Sequence, residues 1–461
     1  MVNFWDFSVW GWLILISVLL GSLLVANALK KNIPLLQESL IPTSVLGGTI
    51  LLAITAIFRL ITKDPFFDGI LFNGNGSANL EVLTYHTLAL GFIASALKTS
   101  DQKTTKKRAL EIFDSGVTTV ATYLLQAVVG FGITMIAALI MEDFFPAAGV
   151  LLPFGYGQGT GQALNYGGIY EAEYGFVGGR SFGLTIAAMG FLSASIGGVI
   201  HLTLLKRRGK ITGNKSTEIA LRSEDIESSN EIPMQESIDK MTIQIALIIV
   251  AYVLAFFMMY GLSALLPGMK SVIYGFNFLL GVIAATIIKF IIKLLKKTNI
   301  VKKDYINNFL LTRACNFFFD LMVVAGISAI RIDMLKRYWG ILLILGIVGL
   351  VITYAYTRIV ATTLFKEYAE EQFLATYGML TGTASTGIIL LREIDGDFKT
   401  PAADNMVYQT LPAIVFGFPL MLLATLAPQK PVLSLIIMLA FFIVMNIILF
   451  RSFIFGKLKH K

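Results

Sequence analysis

The sequence is poor in the residues on which disulfides, metal sites and soluble surfaces depend. Its 461 residues include one cysteine, Cys315, and three histidines that stand far apart, His86, His201 and His460. One cysteine excludes a disulfide framework and a cysteine metal site within the chain, and the spacing of the histidines argues against a site built on them. Only 14% of the residues are charged, whereas a soluble globular protein carries about 25%.

Apolar residues are what the sequence has in excess. Hydrophobic residues make up 56% of the chain, and the mean hydropathy is +0.75. A soluble fold of this length cannot bury so much apolar surface, so the composition predicts a polytopic membrane protein with the lipid bilayer as partner. The net charge of +8 would suggest nucleic acid binding in a soluble chain. Here it matches the surplus of Lys and Arg in cytoplasmic loops, and no nucleic acid is predicted.

Runs of about 20 apolar residues predict transmembrane helices, since such a helix crosses a hydrocarbon core of about 30 Å. Two other segments, 147–175 and 371–396, are too polar and glycine-rich to be ordinary spans. The eleven predicted spans cover residues 8–29, 43–62, 82–98, 115–141, 182–205, 241–266, 271–295, 308–330, 338–364, 404–427 and 432–455.

The basic residues predict the orientation of these spans. If each glycine-rich segment enters the membrane and returns to the same side, 29 of the 37 Lys and Arg residues fall on one face. By the positive-inside rule that face is cytoplasmic, so the N-terminus lies outside and the C-terminus inside. The same arrangement leaves the loop 331–337, with its three basic residues, on the outside.

An internal repeat links the two glycine-rich segments. Residues 156–163 read YGQGTGQA and residues 377–384 read YGMLTGTA, identical at five of eight positions. SALK at 95–98 likewise matches SAIR at 328–331. The predicted orientation makes the two copies antiparallel, which is typical of the inverted repeats of secondary transporters.

The repeat predicts how the chain is organised. We expect an all-α polytopic membrane protein with a broken, re-entrant hairpin in each half. The predicted parts are a first repeat at 1–205, a cytoplasmic linker at 206–240, a second repeat at 241–427, and an additional helix with a basic tail at 428–461.

The broken segments carry the predicted substrate site. Irregular backbone at membrane depth must face protein or a water-filled cavity. A helix N-terminus exposed by a glycine turn attracts a carboxylate, while unwound carbonyls and hydroxyls suit Na⁺. The alternative is that the glycines serve tight helix packing. The candidate substrate-binding residues are Gly157, Gln158, Gly159, Thr160, Gly161, Gln162, Asn165, Thr381, Gly382, Thr383, Ser385, Thr386 and Arg392.

One acid, Asp320, lies well inside a predicted span, with Asn316 one helical turn before it. A carboxylate at that depth is costly and by default functional. We predict Asn316 and Asp320 as ligands of the coupling Na⁺. The alternative is a structural ion pair of Asp320 with Arg313 or with another helix.

Several motifs resemble the bacterial sodium/glutamate symporters. The resemblance covers roughly residues 40–425 and rests mainly on GQGTGQA at 157–163, followed by EYGF at 173–176 and IGG at 196–198. LLKRRG at 204–209, Ile41-Pro42 before Gly47-Gly48, and TGTASTG at 381–387 fit the same pattern. The resemblance implies Na⁺-driven glutamate uptake, an inverted-repeat fold, a dimer and the bacterial inner membrane. Members of that family usually have a proline in the second hairpin, where this chain has small residues such as Ser385.

The sequence thus predicts a secondary active transporter, not an enzyme, that couples Na⁺ influx to uptake of an anionic amino acid. Glutamate is the first expectation, and no cofactor other than the coupling ion is predicted. Another carboxylate as substrate, H⁺ coupling, a cation/proton antiporter that uses Asp320, and a channel or membrane sensor stay open.

Overall fold

The structure is a computed structural model that describes residues 3–99, 105–209, 231, 238–299, 303–396 and 399–456. Within these ranges the chain is helical, and its β-structure is limited to one isolated bridge between Glu231 and Asp304. Most of the predicted linker 206–240 lies outside the described residues. So does the end of the predicted basic tail.

Ten helices in the described part of the chain are long and apolar enough to cross a membrane. An eleventh span is obtained if Ala402–Tyr408 and Pro412–Leu426, which meet at 53°, form one bent span. The prediction of an all-helical, multi-pass membrane protein is therefore confirmed. The long helices are α1 (Phe7–Asn32), α2 (Thr43–Thr62), α3 (Gly76–Leu97), α4 (Lys106–Ile140), α7 (Gly179–Arg207), α8 (Lys240–Leu265), α9 (Asn277–Lys297), α10 (Asn308–Ser328), α11 (Trp339–Leu364) and α16 (Pro431–Leu449).

Shorter helices stand where the sequence is glycine-rich. The first glycine-rich segment forms α5 (Leu151–Tyr156) and α6 (Gly159–Tyr174), and the second forms α12 (Ala369–Thr381) and α13 (Ala384–Arg392). The bent pair consists of α14 (Ala402–Tyr408) and α15 (Thr410–Leu426). Single turns of 3₁₀ helix occupy Phe66–Asp68, Ile70–Phe72, Pro146–Val150, Pro267–Met269, Ile332–Leu335 and Lys366–Tyr368, and short α-helices occupy Pro34–Glu38, Lys270–Gly275 and Arg451–Gly456.

The chain divides into two compact units. The first comprises residues 1–80, 104–217 and 324–461, and the second comprises 81–103 and 218–323. Each unit takes residues from both predicted repeats, because packing joins elements that are distant in sequence. Both glycine-rich segments belong to the first unit.

The first unit is organised around α4, α7 and α11, on which the glycine-rich segments pack. The last helix, α16, also belongs to this unit. Its buried residues Ser434, Met438, Met445 and Leu449 form one stripe, as expected for a lipid-facing helix that buries a single side. Tyr356 of α11 donates a hydrogen bond to the Asn446 side chain at 2.9 Å, so the predicted additional helix is an integral part of the unit.

The second unit is a bundle of α3, α8, α9 and α10 with an apolar core. Hydrogen bonds and an ion pair of polar side chains hold this bundle together near the ends of its helices. The Gln244 amide donates to the Tyr305 carbonyl at 2.8 Å, and the buried Lys240 ammonium lies 2.8 Å from the Glu231 carboxylate. The Asn277 side chain donates to the Tyr85 carbonyl at 2.9 Å. These contacts satisfy groups that would otherwise be buried without partners.

Candidate functional site

The first helix break lies between α5 and α6. α5 ends at Tyr156, and α6 begins at Gly159, whose φ of +80° requires a residue without a Cβ. The Tyr123 hydroxyl of α4 donates to the Gly157 carbonyl at 3.0 Å. A helix end that is interrupted in this way leaves carbonyl and amide groups outside the regular helical ladder.

Aromatic contacts join the residues on the two sides of this break. The Phe145 ring, before α5, stacks on the Phe176 ring, after α6, with centroids 4.7 Å apart. Closer to the break, Phe154 stacks on Tyr166 at 3.9 Å. Residues before and after the break are therefore in contact at two places.

Three tyrosines anchor α6 on α15. Their spacing of four residues places Tyr166, Tyr170 and Tyr174 on one face of the helix. Their hydroxyls donate to the carbonyls of Met421, Ala424 and Thr425 at 3.0, 2.7 and 3.1 Å. α15 carries Pro419 in its interior, which frees a carbonyl one turn earlier. These three contacts hold the C-terminal half of α6 against α15.

The second break lies between α12 and α13, and the helices on either side of it again pack together. A Cβ on Gly378 would lie 2.8 Å from the Gly387 Cα, a distance that no larger residue tolerates. At the break, Gly382 has φ −152° and ψ −108°. The Thr386 hydroxyl accepts from the Thr383 N–H at 3.4 Å and starts α13 with a cap.

The two breaks meet on α7. A Cβ on Gly190 would lie 2.6 Å from the Thr381 carbonyl oxygen and 3.2 Å from the Tyr156 Cα. Gly190 is therefore in contact with the last residue of α12 and the last residue of α5. One residue of α7 thus contacts both glycine-rich segments.

Equivalent tyrosines of the repeat motif converge on one serine. The Tyr156 hydroxyl lies 2.8 Å from the Ser193 hydroxyl and donates to the Gly346 carbonyl of α11 at 2.6 Å. The Tyr377 hydroxyl donates to the Ser193 carbonyl at 2.6 Å. The first tyrosine of each octet thus fixes its helix to the same turn of α7.

Two buried glutamines lie beside the breaks. The Gln126 side chain donates to the Leu380 carbonyl at 3.0 Å and to the Thr353 hydroxyl at 2.9 Å. Gln162 is 1% exposed, and neither its amide nitrogen nor its carbonyl oxygen has a partner among the described residues. Burying an amide without hydrogen bonds costs about 1–3 kcal/mol. Gln162 is therefore the clearest indication of a binding site in this part of the chain.

Most of the predicted substrate-binding residues lie at the breaks. Thr160 and Thr381 are fully buried, whereas Gln158, Asn165, Thr383 and Ser385 are half-buried. Gly157, Gly159, Gly161 and Gln162 form the first break and the first turn of α6, and Gly382 and Thr386 belong to the second break. Arg392 lies elsewhere, because it is the exposed last residue of α13, about 12 Å along the helix from Ala384.

Asn316 and Asp320 lie on α10 in the second unit. Both side chains are exposed, and with the exposed Arg313 they share one face of the helix. Among the described residues no group of three or more His, Cys, Asp or Glu side chains is placed to hold a metal ion. The prediction that Asn316 and Asp320 bind Na⁺ stays a prediction.

Other residues of the site were not predicted from the sequence. The sequence could have indicated Gln126 as a site residue, because it is the only side-chain amide within the long apolar run of α4. The matched Tyr156 and Tyr377 are a second signal, since they are the one bulky identity between the two octets. Gly190 and Ser193 carry no sequence signal, because only the packing of α7 brings them to the breaks.

A charged cluster lies at the start of α12. The Arg358 guanidinium donates to the Glu370 carboxylate at 2.9 Å, and His201 Nε2 lies 3.0 Å from the same carboxylate. Burial raises the pKa of Glu370, but the hydrogen bonds and charges of Arg358 and His201 outweigh it and lower the pKa to about 2. The Tyr354 hydroxyl lies 2.8 Å from His201 Nδ1. The cluster therefore joins α7, α11 and α12.

No family model matches this chain, and no curated protein matches it either. Its own geometry defines it as a multi-pass, all-helical membrane protein in which two glycine-bearing helix breaks contact the same turn of one helix.

Proposed function

We propose that the protein is a secondary active transporter that couples Na⁺ influx to the uptake of an anionic amino acid, with L-glutamate as the first substrate to test. The observation that carries the proposal is the meeting of the two helix breaks at Gly190 and Ser193 of α7. Broken helices that meet in pairs are how secondary transporters build a substrate site within the bilayer.

We infer that each glycine-rich segment is a re-entrant hairpin and that the two belong to an inverted repeat. The contact of Phe145 with Phe176 supports the first hairpin, since it holds the two ends of the segment together. In the second, the close approach of Gly378 to the Gly387 Cα supports the same arrangement, since it holds α12 against α13. The equivalent roles of Tyr156 and Tyr377 at Ser193 support the repeat.

The polarity of the breaks suits an anion together with a cation. The N-terminus of the 16-residue α6 has no side-chain cap from Gln158 and carries a partial positive charge, which favours a carboxylate. The C-terminus of α12 presents backbone carbonyls, including that of Thr381, which favour a cation. Gln162 has both an amide donor and a carbonyl acceptor for the polar groups of an amino acid.

Alternating access requires that the site moves as a body. Both breaks belong to the same compact unit and are joined through α7. We therefore expect them to move together during transport, with the bound substrate and ion between them.

The decisive experiment is the uptake of radiolabelled glutamate into proteoliposomes with and without an inward Na⁺ gradient. We expect accumulation that depends on Na⁺, and competition by unlabelled aspartate, citrate or malate will define the substrate class. Replacing the Na⁺ gradient with a proton gradient tests H⁺ coupling, and empty liposomes are the control. No stimulation of glutamate uptake by Na⁺ would defeat the proposal as stated.

A further inference from the structure

A separate cavity lies in the first unit, between the C-terminal end of α2, the segment that follows it and the residues after α10. Its volume is about 540 Å³, which is within the range of small-molecule binding sites. The charged residues that line it are Arg59, Lys63, Asp68, Arg331, Asp333 and Lys336. None of these residues belongs to the helix breaks, and the proposed transport function makes no use of them.

The cavity has an excess of positive charge. It is lined by four bases and two acids, and both acids are already engaged. Asp333 pairs with the Arg59 guanidinium at 2.6 Å, and the Asp68 carboxylate accepts from the Ser77 N–H at 2.9 Å. In the described part of the chain, neither Lys63 nor Lys336 has an acidic partner. The cavity therefore favours an anion.

Ser328 adds a hydrogen-bond donor to this cavity. It is 4% exposed, and its hydroxyl oxygen has no partner among the described residues. A buried hydroxyl without a hydrogen bond is unfavourable, so a ligand with an acceptor atom would satisfy it. Ser328 and Arg331 are the first and last residues of the SAIR motif, which the helix breaks leave unexplained.

The edge of the cavity is apolar and faces outward. Leu60 is 82% exposed, and Met334 is 40% exposed. Phe66 and Phe67, whose rings lie 5.1 Å apart, form part of the wall. Lys63 directly follows α2, which is long and apolar enough to span the bilayer, so the cavity lies where a hydrocarbon core ends. The ligand must present an anion to the bases and apolar chains to this edge.

We propose that the cavity binds the phosphate group of an anionic phospholipid. Lys63 and Lys336 supply the charge, the Ser328 hydroxyl donates to a phosphate oxygen, and Leu60 and Met334 contact the acyl chains. Arg59 remains paired with Asp333. Basic pockets between transmembrane helices are known to bind anionic lipid headgroups. Inorganic phosphate would present the same anion to the bases. The apolar edge favours the phospholipid, because only the lipid has acyl chains.

The test is a titration of the purified full-length chain, in a neutral detergent, with phosphatidylglycerol and separately with phosphatidylcholine. We expect the protein to bind phosphatidylglycerol more tightly. The double variant Lys63→Gln, Lys336→Gln should weaken that binding roughly thirty-fold, since each lysine contributes roughly five- to sixfold. Ser328→Ala should weaken it by roughly three- to tenfold.

Two controls make the result specific. Lys270→Gln, Lys430→Gln removes two exposed lysines outside the cavity and should leave the dissociation constant unchanged. Lys63→Arg, Lys336→Arg keeps both charges and should retain binding. If the double glutamine variant fails to fold, Ser328→Ala measures the same cavity without any change of charge.

Equal affinity for the two lipids, or unchanged binding by the Gln and Ala variants, would overturn the proposal. Competition distinguishes the sources of the anion. Displacement of the lipid by excess inorganic phosphate would make free phosphate the ligand, and displacement by glutamate would make the cavity part of the substrate path. Either displacement overturns the lipid assignment. None of these results depends on the outcome of the uptake assay.

Discussion

Among the described residues, Gln162 is the one buried side chain in which two polar atoms lack a hydrogen-bond partner. Its side chain is buried beside the first break, and neither polar atom has a partner among the described residues. A protein that retains such a group carries a cost in stability, and sites that bind polar ligands are where that cost is expected. A substitution of Gln162 should therefore change the stability of the protein and its transport activity in opposite directions.

We predict that Gln162→Leu stabilises the protein and impairs uptake. Removing a buried amide that lacks partners should raise the free energy of unfolding by about 1 kcal/mol, whereas losing a hydrogen bond to a charged substrate should lower uptake roughly tenfold. Thermal denaturation in detergent and proteoliposome uptake measure the two effects. Gln126→Leu is the matched control, because it removes two formed hydrogen bonds and should destabilise by about 2 kcal/mol. Loss of stability in Gln162→Leu would show that its side chain is satisfied.

At the scale of elements, α7 is the helix on which both breaks depend. Gly190 has backbone of both segments within contact distance of any added Cβ, and neither segment can retreat without losing its own packing. The ends of α5 and α12 therefore pack against α7 so closely that adding one methyl group at Gly190 tests the contact.

We predict that Gly190→Ala destabilises the protein by about 1–3 kcal/mol and abolishes uptake, since the new Cβ would displace the Thr381 carbonyl. Gly132→Ala on α4 is the matched control, because no atom lies within 4 Å of its added Cβ. That variant should gain up to about 1 kcal/mol from better helix propensity and keep wild-type uptake. Thermal denaturation and uptake are measured for both. Wild-type behaviour of Gly190→Ala would mean that the breaks do not meet as described.

The cluster of Arg358, His201 and Glu370 joins three helices and makes their association depend on pH. The pKa of Glu370 is about 2, below its ordinary value of 4.5, so the carboxylate contributes stability that is complete above pH 4.5. We predict that this contribution is lost as the pH falls from about 4.5 to about 2. After allowance for solvent screening of a half-exposed group it amounts to about 1 kcal/mol.

Glu370→Gln should remove this part of the pH dependence, as measured by denaturation across the acid range. Glu367→Gln, three residues earlier, is the matched control, because its side chain is 75% exposed and its partner Lys107 is also exposed. That variant should retain the wild-type profile. A Glu370→Gln profile that parallels the wild type would show that the cluster does not contribute.

At the scale of the whole molecule, the orientation can be tested with two introduced cysteines in a Cys315→Ala background. Lys366 and Lys430 are both exposed, and the second glycine-rich segment and the bent pair lie between them in sequence. If that segment is re-entrant and the bent pair crosses once, the two positions lie on opposite faces. We predict that a membrane-impermeant maleimide labels Lys430→Cys in intact cells and Lys366→Cys only after permeabilisation. Labelling of both positions from one side would mean that the segment crosses the membrane.

The sequence predicts the membrane helices better than it predicts the site. Apolar runs are long, local signals, so ten of the eleven predicted spans correspond to described helices that are long and apolar enough to cross a membrane. The eleventh, 404–427, corresponds to the bent pair, and α4 begins at Lys106 instead of the predicted 115. Glycine and threonine also mark both breaks, because a turn needs them locally. The meeting at Gly190 and Ser193 could not be predicted, because it depends on the tertiary packing of α7. Arg392 seemed close to the second break in sequence, but the length of α13 carries it away.

The contact of both breaks with Gly190 has a thermodynamic consequence. Tyr156 and Thr381 lie against the same Cα, so a displacement of one segment towards α7 cannot leave the other in place. If one break binds the anion and the other the cation, each ligand then alters the free energy with which the other binds, by an equal amount in both directions. The binding of the ion and the binding of the substrate would then be coupled through steric contact with Gly190, without any direct contact between the ion and the substrate.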